Sequence, residues 1–135
     1  MSGSGGRSPG DLSPRFRIWL AATDHTAPFG HGKWQLLAAI EREGSLRGAA
    51  AALGVSYRKA WGDLRQAEQM LGIKLIETHR GGRTGGDTRL TAAGEHWLRA
   101  YSRFRARVER AVARAFAADF RDLLAPPAVK EPRAS

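Results

Sequence analysis

A chain of 135 residues is long enough for one domain with short tails, and its net charge of +9 makes a polyanion the natural partner, because cations that neutralise phosphates release condensed counterions. The absence of cysteine excludes disulfides and thiolate metal sites and fits a reducing cytoplasm. No apolar run is long enough to span a bilayer and the N-terminus has no apolar signal core, so we expect a cytoplasmic protein without a membrane partner.

The two ends of the chain differ in composition from its middle. Residues 1–13 are mainly Gly, Ser and Pro with little to bury, and residues 123–135 are rich in Pro and charge. Such segments cannot bury enough apolar surface to offset the entropy of ordering, so we predict a disordered tail at each end. Residues 14–122 carry the periodic apolar patterns, and we expect them to form the folded domain.

An alternating segment follows the N-terminal tail. From Arg15 to Leu20 basic and apolar residues alternate, with Phe16 and Ile18 on the same face as Leu20, which is the period of a half-buried strand. A single strand is not stable alone, so it must pair with later strands, with its copy in a second chain, or with both. Residues 22–32 are dominated by Thr, Pro, Gly and His and predict a loop.

Three helices are predicted in the next part of the chain. Residues 33–43 have the period of a helix that covers the two that follow. Ser45 is a good N-cap for a second helix over residues 46–53, since its hydroxyl can accept a hydrogen bond from an unpaired N–H of the first turn. Gly54 suits the positive φ that ends a helix in a sharp turn, and Ser56 can cap the third helix.

The third helix has one apolar and one polar face. Its apolar residues recur at spacings of four, three and four and predict the core face, formed by Ala60, Leu64, Ala67 and Leu71. Trp61 lies beside that stripe, and we expect it to act through packing. The opposite face concentrates cations and hydrogen-bonding groups near the N-terminal end, namely Tyr57, Arg58, Lys59, Gly62 and Arg65. In a helix-turn-helix this end enters the major groove, although a solvated helix in an ordinary bundle has the same pattern.

Two short extended segments follow, at residues 74–79 and 88–90, separated by the sequence Arg80-Gly-Gly-Arg-Thr-Gly-Gly-Asp87. Four glycines around Arg83 and Thr84 predict a flexible hairpin tip with a cation at its apex. Because it comes after the third helix, we interpret it as a wing that lies against a DNA backbone or reaches the minor groove. A plain Gly-rich turn is the alternative interpretation.

The last predicted helix begins after a Thr91 cap and runs from Ala92 to about Phe120. Its apolar residues alternate at spacings of four and three, as in a helix that packs lengthwise on another: Trp97, Tyr101, Phe104, Val108, Val112, Ala115 and Phe116. Such a helix is on the order of 40 Å long, more than so small a domain covers, so we predict a homodimer. The alternative is that its C-terminal half packs on the first helix or frays.

No constellation of acid, base and nucleophile is visible in the sequence, so we do not expect an enzyme. His25 and His31 are six residues apart in a predicted loop, and His79 and His96 fall in different elements. None of these spacings places two ligands on one helical face, so no metal site and no cofactor are predicted. We interpret His79, beside Arg80, as a backbone contact near DNA.

Residues 44–101 resemble a known family. One set of residues carries a broad resemblance to the winged helix-turn-helix of LysR-type regulators: Gly44, Ser45, Ala49, Ala50, Leu53, Val55, Ser56, Glu68, Leu71, Gly72, Leu75, Leu90, Thr91 and Gly94. A narrower resemblance, to the N-terminal DNA-binding domain of the ModE family of molybdate-responsive regulators, is carried by Ser56-Tyr-Arg-Lys-Ala-Trp61 and the glycine-rich Gly81-Gly-Arg-Thr-Gly-Gly86.

The resemblance implies a mainly α fold with a small β-hairpin (α+β), a winged helix-turn-helix with a long C-terminal dimerisation helix. It also implies a homodimeric, sequence-specific transcription regulator that binds double-stranded DNA through a recognition helix at residues 56–70. The DNA-binding residues that we predict are Ser45, Ser56, Tyr57, Arg58, Lys59, Arg65, Arg80, Arg83 and Thr84. The predicted dimerisation residues are Trp34, Trp97, Tyr101, Phe104, Val108, Val112 and Phe116.

One departure from the family concerns the ligand. ModE itself continues into a molybdate-binding module, whereas this sequence ends at Ser135, so direct binding of molybdate is not expected. A role in molybdenum-related gene regulation is implied by the resemblance alone. The alternative function is a protein-interaction module in which the helix-turn-helix is vestigial and the Arg-rich last helix binds an acidic partner.

Overall fold

A computed structural model describes residues 11–23, 29–79 and 87–124 of the chain. The elements follow in the order β1 (Trp19–Leu20), β2 (Phe29–Gly30), α1 (His31–Glu43), α2 (Leu46–Leu53), α3 (Tyr57–Leu71), β3 (Ile76–His79), β4 (Asp87–Leu90) and α4 (Ala92–Leu124). The chain divides into two compact units, one of residues 17–105 and one that includes residues 11–16 and 106–124. The predicted class, mainly α with a small β-hairpin, is confirmed.

The core of residues 17–105 is built from one face of each helix and from the hairpin strands. Its buried apolar side chains are Phe29, Leu36, Leu37, Ala39, Ile40, Leu46, Ala49, Ala50, Ala60, Leu64, Ala67, Leu75, Ile76, Leu90, Leu98 and Tyr101. The predicted stripe of α3 is confirmed, because Ala60, Leu64 and Ala67 are almost fully buried and Leu71 packs half-buried against them. The small side chains of α2 let α1 and α3 approach it closely, which leaves Ala49 with no exposed surface.

Glycines with positive φ end α1, α2 and α3. Gly44 after α1 has a φ of 78° and donates its N–H to the carbonyl of Ile40, while Gly72 after α3 has a φ of 69° and donates to Glu68. Both residues satisfy a carbonyl of the last turn and turn the chain sharply. The direction in which α2 and β3 leave the preceding helices is therefore fixed by local sequence.

A two-stranded pairing precedes α1 and corrects two predictions. Residues 22–32 were predicted as loop, but Phe29 and Gly30 form β2 and pair antiparallel with Leu20 and Trp19. The strand predicted over residues 15–20 is limited to its last two residues, and Leu20, expected on the buried face, is 36% exposed. The physical reason is Phe29, which is fully buried with its ring edge against Trp97 and Tyr101, so tertiary packing draws the segment alongside β1.

The hairpin and the long helix begin and end close to the predicted positions. Strands β3 and β4 pair antiparallel from Ile76 opposite Leu90 to His79 opposite Asp87. Thr91 caps α4 as predicted, since its hydroxyl accepts from the N–H of Gly94 at 2.9 Å and donates to the carbonyl of Lys74 at 2.6 Å. Helix α4 continues to Leu124, beyond the predicted end near Phe120. The predicted wing tip, residues 80–86, lies outside the described residues.

Candidate nucleic-acid interface

Helices α2 and α3 are joined by a three-residue turn whose geometry is set by two caps and a glycine. The hydroxyl of Ser45 accepts from the N–H of Gly48 at 2.9 Å, and that of Ser56 accepts from the N–H of Lys59 at 3.0 Å. Gly54 adopts a φ of 70° and its N–H bonds back to the last turn of α2. In both caps the serine oxygen is the acceptor, so each hydroxyl proton can still be donated to a phosphate oxygen.

The first helical turn of α3, directly after the turn that joins α2 and α3, presents polar side chains to solvent. Tyr57 is 41% exposed, and Arg58 and Lys59 are exposed next to it. The ammonium of Lys59 forms an ion pair with the carboxylate of Asp63 one turn later, at 3.1 Å. That pair draws the Lys59 side chain toward the C-terminal end of the helix, so Arg58 is the cation of this turn without a carboxylate partner among the described residues.

Arg47 also belongs to this surface, although no pattern in the sequence indicated it. Its guanidinium carbon lies 4.7 Å from the centroid of the Tyr57 ring. The Tyr57 ring also packs edge-on against the ring of Trp61, with the ring centroids 6.4 Å apart. A cation over an aromatic face is held by the ring quadrupole. Trp61 packs half-buried against the core, as expected. Tyr57 thus contacts Arg47 of α2 and Trp61 of α3 while it stays exposed.

The C-terminal half of α3 borders a polar groove of about 430 Å³. Arg65 of the helix and Lys74 of the segment before β3 line it, together with Glu68, Gln69, Gly72 and Ile73. Arg65 and Lys74 are exposed, while Glu68 is half-buried. The groove therefore places two cations on the same side of the domain, and Lys74 is a second residue that the sequence did not indicate.

The hairpin is attached to the helices by hydrogen bonds that its backbone N–H groups and the one just before it donate. The carboxylate of Glu68 accepts from the N–H groups of Leu75 at 2.8 Å and Ile76 at 3.3 Å, and the N–H of Thr88 donates to the carbonyl of Gly44 at 3.2 Å. Strands β3 and β4 are thereby fixed to the ends of both α3 and α1. The two strands therefore leave the helices in a defined direction.

The predicted wing residues Arg80, Arg83 and Thr84 lie outside the described residues. The stem that leads to them carries exposed charges. On β3 the imidazole of His79 lies 3.9 Å from the carboxylate of Glu77, and on β4 the guanidinium of Arg89 lies 3.6 Å from Asp87. The stem thus places an imidazole and a guanidinium each beside a carboxylate.

The predicted dimerisation residues Trp34 of α1 and Tyr101 of α4 also stabilise the fold of the chain itself. Trp34 donates its indole N–H to the hydroxyl of Ser102 at 2.8 Å, and the guanidinium of Arg105 lies 4.9 Å from its ring. Tyr101 is buried and donates to the carbonyl of Ile18 at 3.1 Å. Burial raises the pKa of the Tyr101 hydroxyl, partly opposed by the positive charge of Arg105. These contacts tie α4 to α1 and to the segment before β1.

A second ion pair reinforces the same attachment. The guanidinium of Arg99 donates to both carboxylate oxygens of Glu41, at 3.2 and 2.6 Å. This bidentate pairing raises the pKa of Arg99. Because the pair is exposed, its contribution to stability is small.

An apolar groove of about 270 Å³ remains open on the surface of residues 17–105. It is lined by Leu20, Trp97, Ala100, Tyr101 and Phe104, and Phe104 is 41% exposed. Trp97 is half-buried there, and its indole nitrogen is buried without a hydrogen-bond partner among the described residues. Three predicted dimerisation residues, Trp97, Tyr101 and Phe104, therefore meet on one open apolar surface.

The remaining predicted dimerisation residues belong to the other compact unit. Val108, Val112 and Phe116 are half-buried, and Phe116 stacks on Phe120 with ring centroids 5.1 Å apart. Phe120 is 44% exposed and Leu123 is 73% exposed. This end of α4 thus also presents apolar side chains to solvent.

Residues 11–23, 29–79 and 87–124 contain no cluster of three or more His, Asp or Glu side chains arranged to hold a metal ion. Within the same ranges no helix is both long and apolar enough to cross a bilayer.

Helices α1 to α3, the hairpin β3–β4 and the long helix α4 together define a winged helix-turn-helix domain. Residues 32–95 match the family model described as bacterial regulatory helix-turn-helix protein, lysR family. This segment is therefore similar to the helix-turn-helix of LysR-type regulators, and its similarity to ModE proteins agrees with the narrower resemblance found in the sequence.

Among curated proteins, the molybdenum-pterin-binding protein MopA of Rhodobacter capsulatus is 41% identical over 66 residues, which are 49% of this chain and 25% of that protein. The molybdenum transport protein ModE of Herbaspirillum seropedicae is 46% identical over 63 residues, which are 47% of this chain and 23% of that protein. The chain thus spans about a quarter of the length of these relatives. Among solved structures, the CbnR DNA-binding domain in complex with DNA has a TM-score of 0.53 and 28% identity, covering 64% of this chain and 94% of that one.

Proposed function

We propose that this chain is a sequence-specific transcription regulator that binds double-stranded DNA with α3 in the major groove. The observation that carries the proposal is the first turn of α3, where Tyr57 and Arg58 are exposed at the end of a helix whose other face is buried. A helix held rigidly on one side presents the other in a fixed orientation, as base readout requires. The similarity to a DNA-bound domain of the same fold supports the proposal.

The proposed contacts follow from side-chain chemistry. Arg58 suits a bidentate contact to guanine, and Tyr57 and Lys59 can donate to base or phosphate oxygens. Arg65 is directed to phosphates, together with the hydroxyls of Ser45 and Ser56. In the wing, we propose that Arg80, Arg83 and Thr84 contact the flanking backbone, which adds affinity without sequence preference.

We further propose that the chain acts as a homodimer. The apolar groove beside Phe104 and the exposed Phe120 and Leu123 are costly in water and would be covered by a second copy. Two copies related by a two-fold axis would read a roughly symmetric site, with half-sites about one helical turn apart or a multiple of it.

The relatives point to the regulated process. Because MopA and ModE are named for molybdenum, we propose that this regulator acts on molybdenum-related genes in the cytoplasm. We do not propose that the described domain binds molybdate directly, since the matched segments are only about a quarter of those proteins.

The test is selection of bound duplexes from a random library, followed by affinity measurements on the selected site and on a shuffled duplex at fixed salt. The proposal predicts a discrete complex and a shared motif with approximate two-fold symmetry. Specific binding is expected to exceed nonspecific binding by at least about 1,000-fold. Failure to form a discrete complex with any duplex would favour the protein-interaction alternative.

A further inference from the structure

Gly62 occupies the middle of α3, on the exposed face of the helix. Glycine is unfavourable inside a helix relative to alanine, because its backbone loses more conformational freedom on ordering. Its presence at an interior helical position therefore calls for a compensating reason.

The described part of the chain supplies no such reason. Gly62 has no positive φ, whereas the glycines that end α1, α2 and α3 do. A Cβ at Gly62 would meet nothing within 4 Å. By contrast, a Cβ at Gly48 would lie 2.9 Å from the hydroxyl of Ser45, and one at Gly94 would collide with the carbonyl oxygen of Leu75. Gly48 and Gly94 are thus explained by packing within the protein, and Gly62 is not.

The surroundings of Gly62 indicate what approaches it from outside. Residues three or four positions away on a helix are surface neighbours. For Gly62 these are Arg58, Lys59, Arg65 and Gln66, all of them exposed. The position is therefore a gap of one methyl group in the middle of a cationic, hydrogen-bonding surface.

We propose that Gly62 is the point at which α3 comes closest to the floor of the major groove, so that the edge of one base pair occupies the space that a Cβ would fill. The inference rests on the proposed function and adds a specificity-determining residue to it. A protein partner could also approach a glycine closely, but the buried centre of an interface between proteins is mostly apolar and poor in charge, and the neighbours of Gly62 are cations and an amide. Steric fit at a base edge discriminates among base pairs, whereas contact with phosphates does not.

The test uses Gly62→Ala with Gly32→Ala as the matched control. Gly32 is also an exposed glycine with nothing within 4 Å of a Cβ, but it lies in the first turn of α1 rather than in a helix interior, so it needs no compensating partner. Both substitutions are expected to preserve the fold and to leave the melting temperature unchanged or higher, because alanine favours helix. Loss of folding is therefore not expected to obscure the binding result.

On the selected operator we expect Gly62→Ala to weaken binding about 10-fold or more, the scale of one mismatched base pair, and Gly32→Ala to leave it unchanged. On a shuffled duplex, Gly62→Ala is expected to bind within about 2-fold of the wild type, since phosphate contacts are retained. Repeating the selection with Gly62→Ala is expected to alter the preference at one base-pair position of each half-site.

Operator affinity that is unchanged in Gly62→Ala would overturn the inference, as would equal losses on operator and shuffled duplex. A protein partner captured by the wild type and lost in Gly62→Ala, with operator affinity retained, would replace DNA as the approaching group. Failure of the proposed function is distinguishable, because the wild type itself would then not discriminate between the two duplexes.

Discussion

The carboxylate of Glu68 on α3 accepts a hydrogen bond of 2.8 Å from the backbone N–H of Leu75, just before β3. A second bond of 3.3 Å comes from Ile76. One side chain of the helix that carries the proposed base contacts thus also holds the start of the hairpin that carries the proposed wing. Helix α3 and the hairpin, which we propose to contact the same duplex, are connected through this carboxylate.

The first prediction concerns that coupling. Glu68→Ala removes the acceptor of both N–H groups in a partly buried site, so the free energy of unfolding should fall by about 1–3 kcal/mol. Glu68→Gln keeps one acceptor oxygen and should lose less. Urea denaturation followed by circular dichroism measures both, and a Glu68→Ala midpoint equal to that of the wild type would show that the bonds do not stabilise the fold.

The second prediction concerns Arg47, whose guanidinium lies over the ring of Tyr57. If this contact positions Tyr57 for base readout, Arg47→Met and Tyr57→Leu should be non-additive in operator affinity. A coupling energy of about 0.5–1 kcal/mol is expected for an exposed cation–π pair. Fluorescence anisotropy on the two single variants and the double variant measures it, and strictly additive losses would mean that Arg47 acts on DNA independently of Tyr57.

The third prediction concerns Asp63, which pairs with Lys59 at 3.1 Å. Asp63→Asn frees the ammonium and removes a negative charge from the surface that would face phosphates. Affinity should therefore rise several-fold on operator and shuffled duplexes alike, and more at low salt, where charges are less screened.

A charge-matched control for Asp63→Asn is Asp119→Asn. Asp119 is an exposed carboxylate near the C-terminal end of α4. The control substitution changes the net charge equally and should leave DNA affinity nearly unchanged. An equal rise in both variants would mean that overall charge, rather than the release of Lys59, increases the affinity.

The fourth prediction concerns the apolar groove beside α4. Phe104→Glu places a carboxylate in a surface that we propose to be covered by a second copy, and since Phe104 is already 41% exposed the chain should still fold. Sedimentation equilibrium should show a dimer for the wild type and a monomer for the variant at micromolar concentration. Ala113→Glu adds the same charge at an exposed position outside the predicted apolar seam and should remain dimeric. A dimeric Phe104→Glu would exclude this groove from the interface.

Sequence alone predicted the elements whose signals are local. Ser45, Gly54 and Ser56 act within a turn of their own positions, so the start and end of α2 and the start of α3 could be assigned from them. Gly72 and Thr91 work in the same way.

Features that depend on distant residues were missed. Strand β2 was predicted as loop. The strand depends on Phe29 packing against Trp97 and Tyr101, which are far away in the sequence, so no local pattern could predict it. Arg47 contacts Tyr57 only because α2 and α3 cross, and no periodic pattern in the sequence predicts that contact. The Gly-rich segment predicted the wing contact and the apolar seam of α4 predicted the dimer, and both are proposals here.

The most direct test of the account compares Arg58→Ala with the wild type on the selected operator and on a shuffled duplex over a range of salt concentrations. If Arg58 reads a base edge, the operator affinity should fall by about 1–3 kcal/mol with a much smaller loss on the shuffled duplex. Arg83 is a proposed phosphate contact, so Arg83→Ala should instead weaken binding to both duplexes alike. The slope of log affinity against log salt concentration should fall in magnitude by about one. Equal losses on both duplexes for Arg58→Ala would contradict base readout by the first turn of α3.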